Sequence, residues 1–179
     1  NQMLQAALNP PEEGKGERRF GSYLFRTGDR VMQVRNNYDL MWRQRDGIQS
    51  GMGVFNGDIG LIREIDPKGE TLTVDFDGRL VEYTPDLLGE LEPAFAITVH
   101  KAQGSEYRAV VLAVLDGAPM LMSRGVLYTA ITRARELLVA VGDEQVVARM
   151  AANDRQTRRY SGLRARLAAG TGAEQRKLP

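Results

Sequence analysis

The stretch GDIGLIREIDPKGETLTVDFDGRLVEYTP, residues 57–85, constrains the fold of this chain more than any other segment. It divides into three strands separated by two turn signals. Asp66-Pro67-Lys68-Gly69 is one turn, and Asp77-Gly78 is the other. An Asp-Gly pair suits a two-residue hairpin, whose central residues take positive φ angles. GDRVMQVRN at 28–36 begins the same block as a further strand. Short strands joined by tight turns predict a small barrel over 28–92 and argue against a parallel sheet.

After Pro93 the pattern changes. AFAITV is a short apolar strand, and AVVLAVLDG, residues 109–117, is an almost continuous apolar run. Such a run predicts a strand buried on both faces, as parallel strands are. SRGVLYTAITRAREL has helical period, and LLVAVGD predicts another buried strand. A last helix is expected over about 154–169, with Tyr160, Leu163 and Leu167 as its apolar stripe. This alternation is that of an α/β unit. Residues 1–8 end a helix that Asn9-Pro10-Pro11 stops, so the barrel is expected to interrupt the unit. Residues 12–27 are expected as a linker and 170–179 as a disordered tail. The chain is expected to be a piece of a longer protein, with the remaining strands of its sheet preceding Asn1.

Composition narrows the chemistry. The chain has 179 residues, 42% of them hydrophobic and 26% charged, an ordinary composition for one domain or two small ones. It contains no cysteine, which excludes disulfides, thiolate metal sites and cysteine nucleophiles. Neither a membrane-length apolar run nor a secretion signal is present, and a cytoplasmic location is expected. The net charge of +1 gives no global pull toward nucleic acid, although arginines concentrate after residue 149.

The single histidine, His100, stands in ITVHKAQGSEY, residues 97–107. Thr98 is placed to cap a helix starting at Val99, and a helix start suits a phosphate. His100 and Lys101 add donors there, Gly104 permits a change of direction, and Glu106 offers oxygens to a ribose hydroxyl. A capped turn with solvated polar residues is the alternative. A general base would need a nucleophile or an orienting carboxylate in reach of His100, and neither is evident. In LYTAITRAREL, residues 127–137, helical spacing puts Val126, Leu127, Ala130, Ile131 and Ala134 on one face. Small alanines there bring the helix close to the sheet and hold Arg133 rigidly, as charge stabilisation at a phosphoryl group requires. The alternative is a plain amphipathic helix. No G-x-x-x-x-G-K-[ST] phosphate cradle occurs; Gly16 to Gly21 is followed by Ser22 and lacks the lysine.

TVHKAQGSE at 98–106 resembles motif V of superfamily 1 helicases, and LYTAITRAREL resembles motif VI. With GDRVMQVRNNYD at 28–39 and VFNGDIG at 54–60, they resemble the C-terminal part of RecD-like ATP-dependent DNA helicases of superfamily 1B, which include the exodeoxyribonuclease V alpha subunit. The resemblance implies a partial RecA-like, P-loop NTPase-type parallel-sheet domain over 1–11 and 93–169, carrying an SH3-like β-barrel insert over 28–92. It implies that Thr98, His100, Lys101, Thr129 and Thr132 serve single-stranded DNA. Gln103, Gly104 and Glu106 would join DNA to ATP, and Arg133 would be the catalytic arginine finger. Asn36, Asn37 and Tyr38 belong to the family's barrel signature. Within LMWRQRDGIQSGMG, residues 40–53, an aromatic beside arginines (Trp42, Arg43 and Arg45) suits a nucleic-acid strand, or else Trp42 packs on the barrel. ATP and Mg²⁺ are the cofactors implied for the intact enzyme, with 5′-to-3′ translocation. Other subunits of a recombination nuclease complex are the further partners implied. Because the P-loop and the Mg²⁺-binding acidic motif are missing, the chain alone is expected to be inactive. Arg108 departs from the proline usual in the family. The rival expectation is a stand-alone nucleic-acid or adaptor module without ATPase activity.

Overall fold

The computed structural model describes residues 1–68, 71–154, 162 and 166–167. The helix expected over 154–169, with Tyr160 and Leu163, falls largely outside them, and 170–179 wholly. The chain divides into two compact units, Asn1–Arg108 with Arg133–Glu136, and Ala109–Thr132 with Leu137–Pro179.

The first unit begins with α1 (Gln2–Leu8), which ends at Asn9 before the two prolines, as expected. Residues 12–27 are not only a connection, because β1 (Glu17–Phe20) and β2 (Tyr23–Arg26) form a hairpin there. Seven strands follow: β3 (Arg30–Gln33), β4 (Asn37–Gln44), β5 (Ser50–Val54), β6 (Ile59–Ile65), β7 (Leu72–Phe76), β8 (Arg79–Tyr83) and β9 (Leu91–Pro93). They form one antiparallel sheet in the order β5-β4-β8-β7-β6-β3-β9. The β7–β8 hairpin turns on Asp77 (φ 52°) and Gly78 (φ 89°), the paired positive angles that the Asp-Gly dipeptide predicts. Val54 on one edge strand and Leu91 on the other lie in the same buried cluster as the central Val74 and Val81. A flat seven-stranded sheet could not bring its two edges to one core, so the sheet curls around it.

A buried polar network fastens α1 to this sheet. The Asp29 carboxylate, 1% exposed, accepts from the Gln5 side chain (2.6 Å), the Asn9 side chain (2.7 Å) and the Arg26 backbone N–H (2.7 Å). A second network lies in the barrel core. The Tyr83 hydroxyl donates to Gln33 Oε1 (2.9 Å), and Gln33 Nε2 donates to Glu90 (2.8 Å). Burial, reinforced by Glu90 and Asp58, pushes the Tyr83 hydroxyl well above its ordinary range.

The segment AFAITV is not a strand beyond Pro93. The Asn1 side chain takes both backbone groups of Ala96, donating to its carbonyl (3.1 Å) and accepting from its N–H (2.8 Å), where a neighbouring strand would otherwise bind. Among the described residues the α/β region therefore shows two strands, not three. β10 (Tyr107–Val114) pairs with β11 (Ala134–Gly142). Tyr107 N–H donates to the Arg133 carbonyl at one end and Asp143 N–H to the Val114 carbonyl at the other, so the two strands are parallel. The apolar run of β10 is not buried on both faces: Val111 is 73% exposed, and Leu137, Val139 and Val141 of β11 are exposed as well. Parallel strands are buried on both faces only where helices pack over them, and these positions lack that cover.

In the second unit α2 (Arg124–Ile131) follows β10, and α3 (Glu144–Ala152) follows β11. Ser123 caps α2 by accepting from Val126 N–H, and Asp143 caps α3 by accepting from Gln145 N–H. Val114, Leu127, Val146 and Met150 form the unit's core. α2 is shorter than the helical period of 123–137 predicts. It stops at Ile131, and Ala134 already belongs to β11. Arg133 thus sits in a turn and not on the helix.

Candidate functional site

Residues 99–104 form a series of turns and no helix. The cap read from the sequence is present, since the Thr98 hydroxyl accepts from Lys101 N–H (3.3 Å) and Ala102 N–H donates to the Thr98 carbonyl (3.0 Å). The next bonds tighten, with Gln103 N–H on the His100 carbonyl and Ser105 N–H on the Ala102 carbonyl. Gly104 then takes φ +91° with open space around it, which ends the turn. One turn carries little macrodipole, so anion affinity here depends on side chains more than on helix order. Ala102 is buried beneath the turn, while His100, Lys101, Gln103, Gly104 and Glu106 are exposed.

Folding brings residues 105–108 alongside 133–136. Arg133 Nη1 donates to the Ser105 carbonyl (2.8 Å), and Tyr107 N–H donates to the Arg133 carbonyl (2.8 Å). Arg108 grips Glu136 through two nitrogens (3.0 and 3.1 Å), and Arg135 approaches Glu106 at 3.7 Å. The two exposed ion pairs contribute about 0–1 kcal/mol each, enough to hold a register but little stability. The half-buried Arg133 is the better held member of the set. Lys101 pairs with Glu92, so it and Glu106 both meet partners that a ligand would have to displace. Of these, Ser105, Arg135 and Glu136 were missed by sequence reasoning. Nothing local could have found them, because their partners lie 28 or more residues away.

The remaining candidates lie elsewhere. The Thr129 hydroxyl donates to the Gly125 carbonyl (2.8 Å), and that of Thr132 to the Thr129 carbonyl (3.0 Å), a back-bonding that closes the last turn of α2. In the barrel, the Asn36 side chain accepts from Asn56 N–H (2.9 Å), and the Asn37 amide donates to Glu90 (3.1 Å). Tyr38 is exposed and meets Phe55 edge-on, with ring centroids 5.6 Å apart. Residues 40–53 form most of the β4–β5 hairpin, and Trp42 packs half-buried against the barrel core. Its ring lies over Gly51, where a Cβ would come within 2.5 Å, and Arg79 stands 6.0 Å from its centroid. Arg43 is exposed, and Arg45 pairs with Asp75. Among the described residues no group of three or more His, Cys, Asp or Glu side chains could hold a metal ion, and no helix is long and apolar enough to cross a membrane.

The sequence profile of the ATP-dependent RecD-like DNA helicase SH3 domain matches residues 1–76, and that of the UvrD-like helicase C-terminal domain matches residues 93–141. The chain belongs to the RecD-like helicase family. The ATP-dependent RecD2 DNA helicase of Deinococcus radiodurans is 39% identical to this RecD-like chain over 159 residues, 88% of the chain and 20% of the relative. The RecBCD enzyme subunit RecD of Mycolicibacterium smegmatis is 31% identical over 167 residues, 93% of the chain and 26% of the relative. That of Mycobacterium tuberculosis is 36% identical over 117 residues, 65% and 20% respectively. The chain thus spans about a quarter or less of the length of these relatives. The SH3-domain match takes in α1, the β1–β2 hairpin and strands β3 to β7 of the curled sheet, and ends before β8 and β9.

Proposed function

We propose that this chain is the C-terminal part of an ATP-dependent DNA helicase, supplying the arginine finger and single-stranded DNA contacts to an intact motor. The observation that carries the reading is the pairing of 105–108 with 133–136 through Arg133 itself. A cation placed on the backbone of the DNA-facing segment moves with it, which is what coupling nucleotide state to DNA requires. Within a second RecA-like domain, Thr98, His100 and Lys101 meet the DNA backbone, with Thr129 and Thr132 supporting α2. Gln103, Gly104 and Glu106 bridge toward ATP, whose Mg²⁺ would be held by residues of the intact protein outside this chain. Lys101 would release Glu92, and Glu106 would release Arg135, as ligands arrive; both are exposed pairs that cost little to open. The chain alone does not hydrolyse ATP. The intact protein translocates 5′ to 3′, with other subunits of a recombination nuclease complex as its further partners.

The test is Arg133→Ala in the intact protein. DNA-stimulated ATP turnover should fall on the order of 10³-fold or more, the scale of arginine-finger loss. Oligonucleotide affinity should change only a few-fold. Turnover within tenfold of wild type would remove the finger role. An intact protein with no ATP turnover to lose would favour the rival, an SH3-like adaptor or nucleic-acid module.

A further inference from the structure

The outer face of the barrel sheet carries a feature that this motor role does not use. Strand register aligns Arg30 with Leu61, Leu61 with Asp75, Asp75 with Leu80 and Leu80 with Arg43. Directly opposed residues project to the same side of a sheet, so these five form one row across β3, β6, β7, β8 and β4. Their neighbours along the strands, Val74, Phe76 and Val81, are buried in the core, which places the row on the outside. Four inter-strand steps make it about 19 Å long.

Asp75 is nevertheless only 5% exposed, because guanidinium groups roof it. Arg45 and Arg63 both pair with its Oδ2. Arg63 reaches it through a bulge, since the β6–β7 register shifts between Ile62 and Glu64. Arg30 and Arg43, at the two ends of the row, are exposed, and neither has an ion-pair partner among the described residues. A cleft of about 280 Å³ opens there, lined by Arg30, Arg45, Arg63, Asp75 and Asp77 among others. The next row along the strands, Glu64–Thr73–Glu82, carries two carboxylates and borders the positive charge on one side.

We infer that this row is a track for the phosphodiester backbone of a single nucleic-acid strand. Arg30 and Arg43 mark its ends, and Arg45 and Arg63, held upright by Asp75, stand between them. A guanidinium fork matches phosphate oxygens in pairs, and those nitrogens of Arg45 and Arg63 not turned to Asp75 remain available. A line of this length faces several phosphates of one strand, whereas the acidic row beside it repels a second strand or a broad acidic surface. The inference rests on the reading of the chain as part of a DNA-binding protein, but on residues that the reading leaves unused.

The experiment is a fluorescence-anisotropy titration of a labelled oligothymidylate with this chain over a series of salt concentrations. Arg30→Gln with Arg43→Gln disturbs no ion pair, and its melting curve should match wild type. It should weaken binding and reduce the slope of log K against log salt by about 1.4, roughly 0.7 for each phosphate no longer neutralised. Thr98→Ala with His100→Ala, run in parallel, reports on 97–107. A weakened arginine variant beside an unaffected Thr98/His100 variant supports the track and removes the assigned role of 97–107. An unchanged slope in the arginine variant overturns the track, whatever the other variant does. So does absence of oligonucleotide binding by the wild-type chain at the lowest salt. Displacement of the oligonucleotide by polyglutamate as effectively as by unlabelled strand would identify an acidic protein surface instead, and would also overturn it.

Discussion

Replacing Asp29 by alanine tests whether the polar network, and not apolar burial alone, fastens α1 to the barrel. The carboxylate accepts three hydrogen bonds, from Gln5, Asn9 and the Arg26 backbone. Gln5 Nε2 keeps a second acceptor in the Leu24 carbonyl, and Asn9 Nδ2 keeps the Thr27 carbonyl. The buried Arg26 N–H keeps none of its side-chain partner. A hydrogen bond to a charged group is worth about 1.5–3 kcal/mol, and stranding a buried donor costs about 1–3 kcal/mol. With two of the three donors partly compensated, Asp29→Ala should destabilise the first unit by about 3 kcal/mol. Trp42, the single tryptophan, packs against the barrel core and reports that unit by fluorescence. With a urea m-value of about 1–3 kcal/mol/M, the midpoint should fall by about 1–3 M. Asp29→Asn, which turns one acceptor into a donor facing donors, should fall in between. A midpoint shift worth less than about 1 kcal/mol for Asp29→Ala would refute the reasoning, because even the stranded Arg26 N–H alone demands that much.

Tyr83→Phe should cost about 1–3 kcal/mol in the same assay, because it leaves Gln33 Oε1 without its donor at a fully buried site. Asp75 gives a pH signature: burial opposes its ionisation, but hydrogen bonds from Arg45, Arg63 and Gly78 outweigh this and hold its pKa below the ordinary 3.8. Its contribution is therefore complete above that value and lost as pH falls below it, so Asp75→Asn should flatten the acid limb of the urea-midpoint curve below about pH 4. Gly104→Ala meets no neighbour but must hold φ +91°, so it should cost about 1–2 kcal/mol and lower the urea midpoint of the first unit, to which Gly104 belongs.

Turn chemistry and strand pattern were legible in the residues because they are local. Asp77-Gly78 takes the angles its side chains allow, Asn9-Pro10-Pro11 ends α1, and Thr98 caps its turn. Patterns also suggested more regularity than forms. The helical period of 123–137 does not say where a helix ends, and strand pairing with β10 claims Ala134 onward. The apolar run of β10 announced a buried strand, but burial depends on what packs over its faces, and Val111 is left exposed.

By itself the sequence determined a β-rich block, a change to α/β pattern after it, and two motifs whose residue types suit nucleotide and DNA. Only tertiary structure decided that Arg133 bonds to Ser105, that Arg108 meets Glu136, and that four arginines on three strands and a turn converge on the outer face around Asp75. Backbone angles follow from each residue and its neighbours, whereas these contacts depend on loop closure and strand register. A shift of register by one residue would turn the arginine row into the core, and no short stretch of sequence encodes that choice.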